Sequence, residues 1–182
     1  MRPTGIVRRI DDLGRIVVPK EIRRVLRIRE GDPLEIFTGK DGEVIIKKYS
    51  PLGELGTFAQ QYVDSISQIL GCPVCVTDRD QIIAVAGGGK RELLGKTISR
   101  QLEEMIINRE NSIQAGLDKK TIPLISGDED SYSAQAIYPI CCEGDCIGAV
   151  ILYSRENQTH FSETEYKAAA CAASFLGKQM EG

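Results

Sequence analysis

One stretch constrains this chain more than any other: Thr4-Gly-Ile-Val-Arg-Arg-Ile-Asp-Asp-Leu-Gly-Arg-Ile-Val-Val-Pro-Lys-Glu-Ile-Arg-Arg-Val-Leu-Arg27. The pattern predicts a short strand, a turn containing Gly14, a second strand and one small helix. Pro19 suits the first helical position, where a missing N–H leaves nothing unpaired and the fixed φ matches the helix. Across that helix Ile22, Val25 and Leu26 share an apolar face. Lys20, Arg23, Arg24 and Arg27 recur at i, i+3, i+4 and i+7 and line the opposite side. A helix of about two turns does not hold itself together in water. It has to be packed, and packing would hold its basic stripe outward on a fixed support.

A basic helix face is ordinarily just solvated surface. Here Arg8, Arg9 and Arg15 add cations on the adjoining strands and turn, against Asp11, Asp12 and Glu21. Seven basic residues within the twenty positions from Arg8 to Arg27 favour a face that binds a polyanion. The segment T-G-I-V-R-R-I-D-D-L-G-R-I-V-V-P-K-E-I-R-R closely resembles the start of the AbrB family of bacterial transition-state regulators. That resemblance implies an interlocked dimer with swapped hairpins, and it places DNA-contacting arginines at Arg8, Arg15, Arg23 and Arg24. The charge geometry adds Arg9, Lys20 and Arg27. Arginine suits the task because its planar fork grips a phosphate or a guanine edge at two points. Base readout is weak in that family, and the segment offers no Asn/Gln-rich helix. Phosphate contacts with sensitivity to DNA shape are therefore expected.

The formal net charge of −3 has to be divided before it is used. Residues 1–50 carry 12 Lys and Arg against 8 Asp and Glu, a net of +4, and residues 51–182 carry 11 against 18, a net of −7. The acidic pI near 5.4 thus belongs to the second part and does not argue against DNA binding by the first. The longest apolar run, 146–153, spans eight residues, far short of a membrane span, and arginines at positions 2, 8 and 9 are unlike a secretory leader. A cytoplasmic protein is expected.

After the helix, residues 29–33 are turn chemistry and 34–38 a strand. Gly39-Lys-Asp-Gly42 is a hairpin turn, and 43–49 returns as a strand. Roughly fifty residues with neither disulfide nor metal make a marginal monomer, which agrees with a dimer sharing one core. The expected division is a DNA-binding domain over 1–50, a linker over 51–56 and a second domain over 57–182. In the second part Leu52, Leu55, Ala59, Tyr62, Ile66 and Ile69 follow a heptad-like 3, 4 spacing, ended by Gly71 and Pro73. Such a helix can belong to its own domain's core or pair with a second subunit.

Strands are then expected at 74–77, 82–86, 134–140 and 146–153, with short helices around 91–94 and 98–108. Ser162-Glu-Thr-Glu165 is a capping box opening an Ala-rich final helix, with Phe161 and Tyr166 placed as a staple. The phrases V-T-D-R-D-Q-I-I-A-V-A-G and Y-P-I…I-G-A-V-I-L resemble the strand signatures of GAF domains. That implies a sheet whose helices and loops enclose a small-molecule pocket. The family's ligand contacts do not transfer residue by residue, so none is assigned. Residues 117–133 are the expected lid or an ordinary exposed loop.

The fold class expected is thus α+β: an AbrB-like swapped-hairpin dimerisation domain followed by a GAF-like α/β domain. The whole chain resembles those AbrB-family sporulation regulators that carry a second domain. This implies control of late forespore genes, some activated and some repressed. The partners expected are double-stranded DNA, further copies of the chain as a dimer of dimers, and a small molecule in the GAF-like domain. No enzyme activity, cofactor or metal is expected. Gly95-Lys96-Thr97 looks like the tail of a phosphate-binding loop, but the motif needs glycine at position 90, which is Lys. Among the six cysteines, free thiols are the expectation, with a zinc site in which Cys141, Cys142 and Cys146 join the Cys72-Pro-Val-Cys75 pair as the alternative. Two other functions stand as rivals: an antitoxin sharing the swapped-hairpin dimer, and a GAF redox sensor using Cys72 and Cys75.

Overall fold

A computed structural model describes residues 4–50, 52, 56–115, 121–128, 132–156 and 159–181. The chain divides into two compact units, residues 1–49 and 50–182.

In the first unit α1 (Lys20–Val25) precedes an antiparallel hairpin, β1 (Leu34–Thr38) and β2 (Val44–Lys48). The register runs from Leu34 opposite Lys48 to Thr38 opposite Val44. Gly42, at φ 77°, supplies the left-handed step that closes the turn. Pro19 is the N-cap of α1, with ψ at 147°, and not its first helical residue. An extended proline one residue earlier serves equally well, since no N–H is needed there either.

The two strands expected over 4–18 are not paired as a ladder among the described residues. The backbone there closes only a turn, with the Asp11 N–H donating to the Arg15 carbonyl at 3.1 Å and the Gly14 N–H to the Asp11 carbonyl at 3.0 Å. The reason lies in the packing. Pro19 is the one buried residue among those described in this unit, while Val7, Ile10, Leu13, Val17 and Val25 are each 66–84% exposed. A strand with no apolar surface to lie on gains too little to hold its ladder.

The second unit holds an antiparallel five-stranded sheet between two helical layers. Its strands are β3 (Val74–Asp78), β4 (Ile82–Ala86), β5 (Ser112–Ala115), β6 (Ala134–Cys142) and β7 (Asp145–Ser154), in spatial order β4-β3-β7-β6-β5. One face is covered by α2 (Gly56–Leu70) and α5 (Glu163–Gln179). The other carries α3 (Lys90–Leu93), α4 (Arg100–Ile107) and the loop around Leu124. Alternation along the strands sorts the side chains: Val74, Val76, Val150 and Leu152 point to the first layer, and Cys75, Ala149, Ile151 and Tyr153 to the second.

The helix packing is tight where the sequence is small. Ala169, Ala172, Ala173, Leu176 and Gly177 are buried on α5, and a Cβ at Gly177 would collide with the Cys141 carbonyl oxygen. The capping box forms: the Ser162 hydroxyl accepts from the Thr164 N–H at 3.1 Å, and the Glu165 carboxylate accepts from the Ser162 N–H at 2.7 Å. α2 ends where Gly71 turns left-handed at φ 66°, with the Ser67 hydroxyl donating to the Cys72 carbonyl at 2.8 Å. The inward stripe of α2 is Ala59, Val63 and Ser67, with Tyr62 and Ile66 at its flank; Ile69, expected on the stripe, is 81% exposed. Leu55 lies outside the described residues.

Two findings depart from expectation in this unit. β5 had no strand signal in Ser112-Ile-Gln-Ala115; it pairs with β6 from Ser112 opposite Ile137 to Ala115 opposite Ala134. The described part of 117–133 is not an exposed loop either. Leu124 and Tyr132 are buried, and the Gln135 side chain ties down Ile122, accepting its N–H at 2.9 Å and donating to its carbonyl at 2.7 Å. A buried amide thus stands in for a missing strand. Residues 117–120 and 129–131 lie outside the description.

Candidate nucleic-acid interface

All seven cations of the basic stretch, Arg8, Arg9, Arg15, Lys20, Arg23, Arg24 and Arg27, are exposed. They come from three local structures: the chain before the turn, the turn itself and the helix with its end. Among the described residues, Arg9, Lys20, Arg23, Arg24 and Arg27 make no side-chain hydrogen bond or ion pair; Arg8 donates only to its neighbour's carbonyl, Val7, at 3.2 Å.

Arg15 is the exception, and it shows how the turn is built. The Asp11 carboxylate accepts from the Leu13 N–H at 3.1 Å, from the Arg15 N–H at 2.7 Å and from Arg15 Nε at 2.8 Å. The Arg15 backbone N–H, and then its guanidinium, hold the Asp11 carboxyl below the usual carboxylate range. Asp11 read in the sequence only as a nearby opposing charge. In the structure it organises the turn and engages one of five guanidinium donors, which leaves the fork able to take a phosphate as well.

The helix end is organised by residues that read merely as turn chemistry and strand end. The Lys48 ammonium lies 3.0 Å from the Asp32 carboxylate and 3.1 Å from the Arg27 carbonyl oxygen. The same Asp32 oxygen accepts the Arg29 N–H at 2.8 Å. Lys47 takes a different course, its ammonium 4.8 Å from the Phe37 ring centroid.

The cysteines do not form the sites considered from sequence. Cys141 and Cys146 face one another in the β6–β7 register and are joined in a disulfide, which replaces the expected pair of free thiols and removes two ligands of the alternative zinc site. Among the described residues no group of three or more His, Cys, Asp or Glu is placed to hold a metal ion. Burial pushes the Cys72 thiol up to about 11, and burial raises that of the fully enclosed Cys75 further still. Both are protonated at neutral pH, the wrong state for a nucleophilic or redox-active thiol. On the α3–α4 side of the sheet, Val85, Leu93, Leu102, Ile106, Tyr132 and Tyr153 fill the interior. A cleft of ≈ 690 Å³ opens instead beside α4 and β5, lined by polar groups that include Glu104, Asn108, Arg109 and Ser112. No helix of the described chain is long and apolar enough to cross a membrane.

Comparison with known proteins gives both units relatives. A family profile described as stage V sporulation protein T C-terminal, transcription factor, matches residues 54–181. The profile of antidote-toxin recognition MazE, bacterial antitoxin, matches residues 7–53. Stage V sporulation protein T of Bacillus subtilis (strain 168) is 51% identical over 181 residues, spanning 100% of this chain and 99% of that protein. The transition state regulatory protein AbrB of the same organism is 55% identical over 51 residues, 28% of this chain and 52% of that protein. Among solved structures, the GAF domain of an Acinetobacter phosphoenolpyruvate-protein phosphotransferase matches with a TM-score of 0.57 at 11% identity, covering 69% of this chain and 81% of that one. At that identity the likeness establishes a GAF fold and carries nothing about ligands.

Proposed function

The chain belongs to the family of stage V sporulation protein T, whose members are sporulation transcription regulators, and we propose that it acts by gripping duplex DNA through the basic face of its first unit. The single observation that carries this is the exposure of all seven cations, with one acidic partner, Asp11, among them. Seven guanidinium and ammonium groups held outward on a fifty-residue support release condensed counterions when they meet a phosphate backbone. Arg8, Arg15, Arg23 and Arg24 make the principal contacts, and Arg9, Lys20 and Arg27 widen the footprint. The regulator works in the forespore cytoplasm and activates some genes while repressing others. The test is a titration of duplex DNA at several salt concentrations with each arginine replaced in turn.

The first unit binds as a swapped dimer. Eleven large apolar side chains from Ile6 to Val44 stand exposed in the single chain. Each is worth about 1.5–3 kcal/mol when covered, and a second copy offering the same set is the economical cover.

The second unit joins two such dimers into a tetramer. Phe175 on α5 stacks against Phe58 and Tyr62 of α2, with ring centroids 5.8 and 5.0 Å apart, and remains 36% exposed; Ile69 on α2 is 81% exposed. The shared outer face of α2 and α5 is the joining surface. Ala170 is half-buried and lies on that face's edge, whereas Ala173, 1% exposed, belongs to the domain's own core. A small molecule, where one acts, enters the cleft beside α4 and β5.

The antitoxin alternative is favoured only by the profile over residues 7–53. An antitoxin of this kind ends in a disordered toxin-binding tail, and the described residues between 56 and 181 here build a five-stranded sheet with two cores.

A further inference from the structure

The helix that carries the basic stripe ends in an arrangement that ordinarily calls for glycine. Leu26 is the C-cap of α1, and Arg27 follows it in the left-handed region at φ 52°. The Ile28 N–H donates to the Arg23 carbonyl at 2.7 Å, and the Arg27 N–H to the Arg24 carbonyl at 3.3 Å. These are the two bonds of the Schellman ending, whose left-handed residue is usually glycine because any Cβ is strained there. Among the described residues eleven glycines take a positive φ, and besides Arg27 only Arg109, after the end of α4, and Glu143 do so with a side chain. An arginine at such a position carries a backbone cost that glycine would not.

The strained residue is held by its neighbours. Lys48, the last residue of β2, donates to the Arg27 carbonyl and pairs with Asp32, whose side chain is 4% exposed. Asp32 in turn accepts the Arg29 N–H. The bracket thus grips the backbone on both sides of Ile28. Lys48 itself is poorly placed to reach a polyanion, its side chain being only 19% exposed and turned to a carboxylate.

We propose that Lys48 and Asp32 are positioning residues that fix Arg27 in its left-handed conformation, and that Arg27 spends this strain to carry the phosphate-binding stripe past the end of α1. The proposal rests on the DNA-binding reading above. It adds that Arg27 is a phosphate contact whose strain serves binding, and that Lys48 acts through it and touches no DNA.

Strain retained for binding has a signature that simple surface charge lacks: stability and affinity move in opposite directions. In the full-length chain, Arg27→Gly should raise the urea midpoint while making the log K versus log salt slope on a random-sequence duplex shallower by about one for each chain engaged. Arg27→Ala should show the same loss of slope without the gain in midpoint. Lys48→Met should weaken binding in the native background and have no further effect in the Arg27→Ala background. Should Lys48→Met fail to fold, Asp32→Asn, which preserves shape, takes its place in the cycle. Arg24→Ala is the control for the underlying reading. If Arg24→Ala weakens binding and Arg27→Gly does not, Arg27 is no contact and this proposal alone is overturned. If neither weakens it, the DNA-binding reading falls and takes the proposal with it. If Lys48→Met weakens binding equally in both backgrounds, Lys48 acts independently of Arg27 and its positioning role is refuted.

Discussion

Replacing Arg24 by Ala isolates the electrostatic contribution of one guanidinium. Its side chain makes no hydrogen bond or ion pair among the described residues, so its loss strands no partner and the fold should hold within about 0.5 kcal/mol. The whole effect then falls on DNA. Each phosphate contact contributes roughly 0.9 to the slope of log K against log salt, so a dimer losing one contact per chain should lose about 1.8. Between about 50 and 200 mM salt, that makes the affinity of the variant fall roughly tenfold less than that of the native protein. Fluorescence anisotropy of a labelled duplex, with several sequences compared at each salt concentration, reads both quantities. Arg15→Ala should differ in kind, because it keeps the backbone N–H bonds to Asp11 but removes the Nε bond and leaves the Asp11 carboxylate uncompensated beside the phosphates. An unchanged slope for Arg24→Ala would refute the phosphate assignment. A loss confined to one DNA sequence would replace it with base readout.

Ala170→Glu should return the full-length protein to dimers by light scattering with the first unit intact, whereas Ala173→Glu places a charge in the core and should cost the second unit at least ~3 kcal/mol in urea unfolding. Gly177→Ala forces a methyl onto the Cys141 carbonyl and should destabilise the second unit by about 1–3 kcal/mol, read as a lower urea midpoint at unchanged m. Burial works to raise the Asp32 carboxyl, but the Arg29 N–H and the Lys48 ammonium outweigh it and hold it below its ordinary value. Its contribution is therefore complete above the unfolded-chain value near ~3.9 and fades as the pH falls through the lower folded value. Asp32→Asn should have lost that contribution already at pH 7, and its acid transition, followed by circular dichroism, should be the less steep.

The second unit was legible in proportion to how local its signals are. The capping box at Ser162 and Glu165, the Gly71 stop and the alternation of 74–77 and 146–153 act over a few residues, and each formed. β5 was hidden because Ser112-Ile-Gln-Ala115 gains its strand state from pairing with β6, not from its own propensity. The spacing from Leu52 to Ile69 fits two neighbouring helical stripes, and only the sheet beneath α2 selects Ala59, Val63 and Ser67 over Ile69. In the basic unit, cation positions could be read directly because charge needs no partner to be visible. The Lys48–Asp32 bracket could not, since its members lie sixteen positions apart and each has an ordinary local explanation. The left-handed Arg27 was likewise invisible: a helix stop without glycine carries no mark in the sequence.

The contrast between the units bears on why they occur in one chain. Residues 50–182 bury two cores of their own, while the described part of the first unit buries a single proline. In the proposed swapped dimer, folding of the first unit depends by mass action on how concentrated a second copy is. The proposed joining of chains through α2 and α5 would make that encounter intramolecular, at an effective concentration that short linkers bring into the millimolar range. The linkage serves the DNA as well, because two tethered dimers can bind with an avidity roughly 10²–10⁴ above either alone when their geometry permits. These two benefits separate experimentally. Residues 1–53 alone should dimerise and bind DNA only at raised protein concentration, and at saturation should show a shallower salt slope than the full chain. If the fragment matches the full chain in affinity at low concentration, the second unit contributes neither effect and its role lies elsewhere.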